Sequence, residues 1–314
     1  MPKPTSHTLP PHGSDHVPPK TRAQARGPLR FNLARIGIYG STFISGGLVL
    51  LIFLTLLIQS GPAIFEAGHS LAMTEWNPSE GIYGIIPMLF GSFMVMLIAL
   101  TLAVPIGLLA AIYIAETRSE RLKRIIRSAL EILAGIPSIV YGLIGVAYLS
   151  LWVANIFDLQ TGRLILTAGI LLAVMILPTV LSLTEDAISN VAGQYRENAF
   201  ALGLYRHEVI KDAIWPLAKA DIAGAVLLAL GRALGETMAV MLVIGSIDRL
   251  PDPIYNVLSS GQTITSKLGR EVGESAFGST HFSVLVFMSL ILVTLTLGLT
   301  ALSQYLFRRE KAHA

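Results

Sequence analysis

Residues 91–115 read GSFMVMLIALTLAVPIGLLAAIYIA, an apolar stretch without a charged side chain. The hydrocarbon core of a bilayer is about 30 Å thick, and a helix of about 20 apolar residues crosses it. A helix also pairs its backbone polar groups within itself, as lipid requires. The stretch therefore predicts a transmembrane helix, with Pro105 inside it.

Further apolar runs of similar length lie on either side of this stretch. They are Ile36–Ile58, a run from about Ile132 to Ile156, Leu164–Thr184, Ile222–Ile247 and a run from about Phe282 to Phe307. Only 14% of the residues are charged, whereas soluble domains carry about a quarter. The sequence therefore predicts an all-α integral membrane protein with about six transmembrane helices. The first lies within residues 31–60 and the other five within residues 82–310. Pro137 and Pro178 also fall inside predicted spans, where packing kinks or, alternatively, moving hinges are expected.

The N-terminal segment, residues 1–30, is rich in proline and contains His7, His12 and His16 but no apolar run. Such a segment cannot bury a core and is predicted to be a disordered tail. The chain has no cysteine, which excludes disulfides, thiolate metal sites and thiol nucleophiles. The other histidines stand alone in the sequence, so no metal site is predicted. A net charge of +3 gives no indication of a nucleic-acid partner.

The basic residues are distributed unevenly between the two sides of the predicted membrane. If the N-terminus is cytoplasmic, that side holds the tail up to Arg35, Arg118–Arg127, Arg196–Lys219 and Arg308–Lys311. The opposite side holds Arg249, Lys267 and Arg270, with Arg163 at a helix edge. Because loops rich in Lys and Arg remain in the cytoplasm, both termini are predicted to be cytoplasmic.

The long cytoplasmic connection, residues 185–220, carries apolar residues at helical spacing with charges between them. Gly203 interrupts this pattern and Pro216 closes it, which predicts two short amphipathic helices joined at a glycine. The apolar stripe of such a helix needs a partner. Either lipid or a groove on another protein could cover it.

The predicted fifth span is unusual because it contains Arg232 and Glu236. Arg232 lies near mid-membrane, where an arginine costs about 2.5–3.5 kcal/mol on insertion scales. The spacing of four residues lets the two side chains pair on one helical face. The pair either only specifies packing or lines an aqueous passage, in which Arg232 binds an anion and Glu236 holds its guanidinium. Thr237 could add a hydroxyl to the same pathway.

Gly231 and Gly235 form a G-x-x-x-G pattern beside this pair. Small residues at this spacing let another helix approach closely. The pattern predicts a helix-packing interface, either within the bundle or with a second subunit.

Two of these segments resemble a known family. Glu197 and Ala199, followed by Gly203 and Pro216, are similar in spacing to the EAA loop of ABC importer permeases. Asn198 stands where that loop has its middle alanine, and Trp215 where it has leucine. Residues 231–240, GRALGETMAV, resemble the signature of PstC-type permease subunits of bacterial phosphate ABC importers. Supporting similarity lies at residues 87–116, 135–145 and 173–188.

The resemblance implies the ABC importer permease fold in a bacterial plasma (inner) membrane and the import of inorganic phosphate. It also implies a PstA-type second permease subunit, a dimeric PstB-type ATPase and an extracytoplasmic phosphate-binding protein. The chain lacks the phosphate-cradling G-x-x-x-x-G-K-[ST] loop, so it is not predicted to be an enzyme. ATP and magnesium would be bound by the partner ATPase, with no cofactor in this chain.

Three alternatives remain at this level. The chain could be a permease for another oxyanion, such as sulfate or molybdate. It could instead be a stand-alone secondary transporter, which would leave the amphipathic connection unexplained. An intramembrane enzyme would need a convergent catalytic set, which one Arg–Glu pair does not supply.

Overall fold

The computed structural model describes residues 28–117, 119–191 and 193–311, and side chains from Ile38 to Tyr305 within those ranges. The predicted disordered tail, residues 1–30, lies almost wholly outside the described residues. The chain divides into two units, Met1–Leu51 and Ile52–Ala314. In the first unit the described part is helical, and the packing and sites below belong to the second.

Most of the described residues are helical. The helices are α1 (Pro28–Gln59), α2 (Gly61–Ala67), α3 (Ile86–Glu116), α4 (Glu120–Gly135), α5 (Ser138–Ile144), α6 (Ser150–Ile156), α7 (Ile165–Ser189), α8 (Gly193–Ala201), α9 (Arg206–Glu208), α10 (Trp215–Leu234), α11 (Met238–Val243), α12 (Ile264–Glu271) and α13 (Thr280–Lys311). A π-helical turn, Gly145–Leu149, joins α5 to α6, and another, Val209–Ile214, joins α9 to α10.

The prediction of about six transmembrane helices is confirmed, because six stretches within the described residues are long and apolar enough to span a membrane. They are Ile38–Ala67, Ile86–Glu116, Ser138–Ile156, Ile165–Ser189, Arg206–Leu234 and Thr280–Tyr305. Pro105 and Pro178 lie inside helices, as predicted. The all-α prediction holds apart from one two-stranded hairpin.

The third span differs from its predicted bounds. Residues Glu120–Gly135 form the separate helix α4, and the span begins only at Ser138. Proline disfavours helical backbone in the residue before it. Ile136 accordingly has an extended ψ of 127° and ends α4. Pro137 therefore lies between two helices, so the prediction of a kink inside a span is wrong at this position.

Helix α7 is the centre of the second unit and packs along most of α3. Two glycines allow the close approach. A Cβ atom at Gly107 of α3 would lie 2.8 Å from Cγ1 of Val180, and one at Gly169 of α7 would lie 2.5 Å from Cγ2 of Ile98. Small residues at helix contacts are typical of packing in lipid, where close van der Waals contact holds helices together.

The two ends of this bundle are built differently. We call the end that contains α8 and α9 the loop end. The opposite end, which we call the cap, contains α2, α12 and an antiparallel hairpin of β1 (Trp76–Asn77) and β2 (Ile82–Tyr83). The hairpin turn closes at Gly81, which has a φ of +74° that glycine adopts readily. Burial of the Tyr83 hydroxyl in this cap raises its pKa, and the nearby Glu66 carboxylate raises it further to a smaller extent.

Candidate functional site

The fifth span is interrupted at the residues that the sequence singled out. Helix α10 ends at Leu234, and α11 begins at Met238. The three residues between them, Gly235–Thr237, form a break that the prediction of a continuous Ile222–Ile247 helix did not include. Arg232 lies in the last turn of α10, whereas Glu236 lies in the break.

The predicted Arg232–Glu236 ion pair is absent, although both side chains are described. The break is the physical reason, because four-residue spacing aligns two side chains only along a continuous helix. Arg232 is exposed, and its Nη1 donates a hydrogen bond to Oγ1 of Thr179 on α7 at 3.2 Å. The guanidinium therefore keeps donors available for a ligand.

Glu236 binds within the break rather than to Arg232. Its Oε1 accepts a hydrogen bond from the backbone N–H of Ala239 at 3.4 Å, at the N-terminus of α11. A carboxylate is favourable there because of the helix dipole. The backbone carbonyl oxygen of Glu236 accepts a hydrogen bond from Oγ1 of Thr265 at 2.8 Å. Thr237 Oγ1 donates to the carbonyl of Gly235 at 3.3 Å, so this hydroxyl is bound locally.

The predicted packing glycines face open space within the described part of the chain. A Cβ atom at Gly231 would meet no atom within 4 Å. One at Gly235 would meet only the carbonyl oxygens of Arg232 and Gly231, at 3.7 and 3.8 Å. No neighbouring helix of the described chain packs against this surface. Of the two predicted alternatives, an interface within the bundle is therefore not observed.

The connection over residues 185–220 contains the short helix α8 and, after Gly203, a second helical segment that begins at Arg206. Gly203 has a φ of +82°, which favours glycine. At the start of helix α9 the backbone N–H of Tyr205 donates a hydrogen bond to Oε2 of Glu208 at 2.7 Å. Glu197 is exposed, whereas Ala199 is buried against the bundle.

This connection presents large apolar side chains on its outer surface. Leu202 is 81% exposed and Tyr205 is 73% exposed, and Phe200 is half exposed. Their inner neighbours Val209 and Ile214 are buried in the core at the loop end. One face of the element is therefore packed on this chain, and the other has no partner among the described residues.

Pro216 does not close the second of these helical segments, so that prediction is wrong. The helix continues from Arg206 through Pro216 to Leu234. Proline lacks a backbone N–H, and its ring crowds the carbonyl one turn earlier. The π-helical turn Val209–Ile214 directly precedes it and widens the helix there. The amphipathic segment after Gly203 is thus continuous with the helix that carries Arg232.

Two ion pairs attach neighbouring helices to the loop end. Nη2 of Arg127 on α4 donates to Oε1 of the buried Glu185 at 2.6 Å. The hydrogen bond to Glu185, together with its charge, raises the pKa of Arg127. Nη2 of Arg196 on α8 lies 3.5 Å from Oε1 of Glu116, at the end of α3. The first pair holds α4 on the end of α7, and the second holds α8 on the end of α3.

A buried charge cluster in the cap was missed by sequence reasoning. Lys267 of α12, counted as an outer basic residue, is 1% exposed. Its Nζ lies 2.5 Å from carboxylate oxygens of both Asp248 and Glu271, and 4.5 Å from the ring centre of Trp76. Nε2 of His281 lies 3.2 Å from the Oε2 atom of Glu271. The four-residue spacing of Lys267 and Glu271 was the only local signal for this cluster.

Comparison with known proteins identifies membrane transport proteins as relatives of this chain. Residues 103–312 match the protein family described as "Binding-protein-dependent transport system inner membrane component". The chain is 33% identical to the phosphate transport system permease protein PstC of Mesorhizobium japonicum, over 90% of this chain and 93% of that one. It is 35% identical to the probable ABC transporter permease protein YqgH of Bacillus subtilis, over 77% and 78% of the two chains.

Solved structures share the fold at low sequence identity. A bacterial ABC transporter involved in the import of the polysaccharide alginate matches with a TM-score of 0.54 and 14% identity, over 90% of this chain and 99% of that chain. An amino acid ABC transporter matches with a TM-score of 0.51 and 18% identity, over 72% and 93% of the two chains. These likenesses confirm the predicted ABC importer permease fold.

Proposed function

The chain belongs to the family of binding-protein-dependent transport system inner membrane components, and we propose that it is the PstC-type permease subunit of an ATP-driven importer of inorganic phosphate. It is a multi-pass inner membrane protein. Its relatives are permease subunits rather than enzymes. The phosphate transport permease of Mesorhizobium japonicum aligns over nearly the whole length of both chains, which supports phosphate as the cargo.

One observation carries the role of the site. Arg232 is exposed beside a helix break within an apolar span, and its one described side-chain bond is to a neutral hydroxyl. An arginine facing hydrocarbon is costly, so an aqueous passage is the more favourable surrounding. A guanidinium presents a fork of donors that matches two phosphate oxygens. Arg232 therefore binds phosphate in transit, and Thr237 lies beside it.

Glu236 contributes by shaping this passage rather than by neutralising the arginine. Its carboxylate binds the N-terminus of α11, which leaves the guanidinium free for the anion. A passage must also release its ligand. The single arginine meets this requirement better than a basic cluster would, because phosphate held by several cations would leave slowly.

The open surface at Gly231 and Gly235 is where a PstA-type second permease subunit encloses the pathway. The absence of a neighbouring helix there within the described chain supports this assignment. A small-residue surface lets the partner backbone approach closely. An arginine on one wall and the partner on the other would then form a passage between the two subunits.

The exposed apolar face around Leu202 docks in a groove of the dimeric PstB-type ATPase, which binds ATP and magnesium. Amphipathic helices bind protein grooves in this way. Glu197, Ala199, Gly203 and Pro216 belong to this coupling element. Because the helix is continuous from Arg206 to Leu234, movement of the element is transmitted directly to Arg232. The loop end and both termini are then cytoplasmic, and the cap receives the phosphate-binding protein.

The experiment that tests this proposal measures uptake of labelled phosphate into proteoliposomes. They contain the chain with its co-purified permease and ATPase subunits, and the binding protein and ATP are supplied. We expect ATP-dependent phosphate uptake that excess sulfate or molybdate does not inhibit. Inhibition by sulfate or molybdate, together with uptake of that anion, would instead assign the chain to the alternative oxyanion. Phosphate uptake without the ATPase subunit would identify a secondary transporter.

A further inference from the structure

Helix α12 and the residues before it form a polar segment buried inside the cap. Residues 261–267, GQTITSK, are all buried, although all of them except Gly261 and Ile264 are polar or charged. A polar segment that is buried to this extent must be hydrogen-bonded throughout. Its contacts therefore show what the segment holds in place.

The segment is fixed to α3 at its start. The backbone N–H of Ile264 donates to Oγ of Ser92 at 2.9 Å. Gly91 packs so closely on the carbonyl of Gln262 that a Cβ atom would lie 2.0 Å from its oxygen. Further along α12, Lys267 binds the carboxylate of Asp248 from another segment. The last residue of the helix, Glu271, lies 3.2 Å from Nε2 of His281 on α13. Helix α12 is thus held at both ends by contacts to other parts of the second unit.

From this fixed position Thr265 reaches the break of the fifth span. Its Oγ1 donates a 2.8 Å hydrogen bond to the carbonyl oxygen of Glu236. A carbonyl at a helix break has lost its partner in the next turn. Within a membrane protein such a group must find another donor, because lipid offers none. Thr265 supplies that donor from a residue 29 positions away in the sequence.

We propose that Thr265 is a positioning residue that sets where α10 ends and thereby aims Arg232 into the phosphate passage. The inference rests on the proposed function, because it assigns Thr265 to the same substrate path. Arg232 precedes Glu236 by four residues, about one helical turn. If the Glu236 carbonyl loses its donor, it can bond along the helix instead, which rewinds the break and rotates the guanidinium. The cap would then control the substrate arginine through a single side chain.

The Thr265→Val substitution removes the hydroxyl and keeps the shape of the side chain. Thr296→Val is the matched control, because Thr296 bonds only carbonyls of its own helix, Leu292 and Val293. We expect Thr265→Val to lower the maximal rate of phosphate uptake about 3- to 10-fold, as loss of one hydrogen bond would. ATP hydrolysed per phosphate should rise. Thr265→Ser should restore both values, and Thr296→Val should change neither.

A merely structural threonine would act independently of Arg232, so a double-mutant cycle separates the two roles. We expect Thr265→Val to slow uptake much less in an Arg232→Lys background than in the wild type, because the guanidinium that it aims is already gone. Coupling of this kind is expected of residues that act through one another. Equal losses of uptake in both backgrounds would overturn the positioning role.

The geometry can also be measured without transport. The chain has no cysteine, so spin labels can be placed at the exposed positions Leu109 on α3 and Met238 at the start of α11. Thr265→Val should shift or broaden the distance distribution between these labels, and Thr296→Val should not. An unchanged distribution would overturn the inference. If the complex carries no phosphate, the proposed function fails, and this distance alone decides whether Thr265 holds the break.

Discussion

The cap and the loop end satisfy their charged and apolar groups in opposite ways. In the cap, Lys267 is almost wholly buried between the carboxylates of Asp248 and Glu271, and Asp248 and the nearby Trp76 ring come from distant segments. At the loop end, Arg127 is half exposed where it binds Glu185, and Leu202 and Tyr205 extend outward. Within the described residues the charge cluster of the cap is internally paired, whereas the apolar face of the loop end has no partner.

The two ends derive their stability and their function from different groups. A buried charge cluster specifies one arrangement, because removing a partner leaves an uncompensated charge. An exposed amphipathic surface contributes little to folding and is available for binding. Under the proposed function the cap is the fixed frame, and the loop end receives the force that the ATPase exerts. Substitutions at the two ends should separate stability from coupling.

The largest stability effect is expected for Lys267→Met in the cap. The substitution leaves the carboxylates of Asp248 and Glu271 together without their cation, and breaking a buried pair costs about 3–5 kcal/mol. Denaturant titration of the purified complex in detergent measures the free energy of unfolding. We expect a large decrease, with the ATPase subunits still bound to the folded fraction.

Lys211→Met at the loop end is the matched control for this prediction. Lys211 is exposed and forms no ion pair within the described residues. An exposed substitution of this kind changes stability by less than about 0.5 kcal/mol. Equal losses for Lys267→Met and Lys211→Met would show that the cap cluster does not stabilise the chain, contrary to the comparison.

A smaller loss of unfolding free energy is expected for Arg127→Ala, which breaks the ion pair with Glu185 at the loop end. Glu185 would remain buried without its donor, and hydrogen bonds to charged groups contribute about 1.5–3 kcal/mol. The half-exposed arginine places the effect at the low end of this range. Denaturant titration of the single and double variants measures it. Adding Glu185→Gln should restore much of the loss, and failure to do so would show that the pair does not hold α4 on α7.

A stability effect no larger than that of Arg127→Ala is expected for Gly203→Val, which should mainly uncouple transport. A side chain at a φ of +82° is strained by about 1–2 kcal/mol, although the surrounding space is open. ATP hydrolysis should continue while phosphate uptake falls, because the docking turn is distorted. Gly193→Val has open space without a positive φ and serves as the control. Unchanged phosphate uptake per ATP in Gly203→Val would contradict the coupling role.

Much of the fold could be predicted from the sequence because lipid imposes a simple requirement on length and hydropathy. The six spans follow from apolar runs alone. Proline proved a poor guide to helix ends. Pro216 lies inside a continuous helix because a π-helical turn precedes it, whereas Pro137 separates two helices through the backbone of Ile136. The effect of a proline thus depended on the backbone before it.

The candidate site was only partly predictable for a different physical reason. Arg232 and Glu236 were recognisable as charges in an apolar run, but the hydrogen bond that the break receives from Thr265 joins residues 29 positions apart. Lys267 was counted only as a basic residue of the outer side because Asp248 and Trp76 are distant from it in sequence. Long-range partners of this kind leave no local pattern. The roles of Glu197, Ala199, Gly203 and Pro216 in coupling remain predictions.

The most direct test of the account compares Arg232→Ala with Arg232→Lys in the reconstituted complex. ATP-dependent uptake of labelled phosphate, ATP hydrolysis and subunit composition are measured for both variants and the wild type. We expect Arg232→Ala to assemble normally and hydrolyse ATP but to carry no phosphate, while Arg232→Lys retains a reduced phosphate-selective uptake. Phosphate uptake by Arg232→Ala at the wild-type rate, with the complex intact, would contradict the claim that this arginine binds the anion in transit.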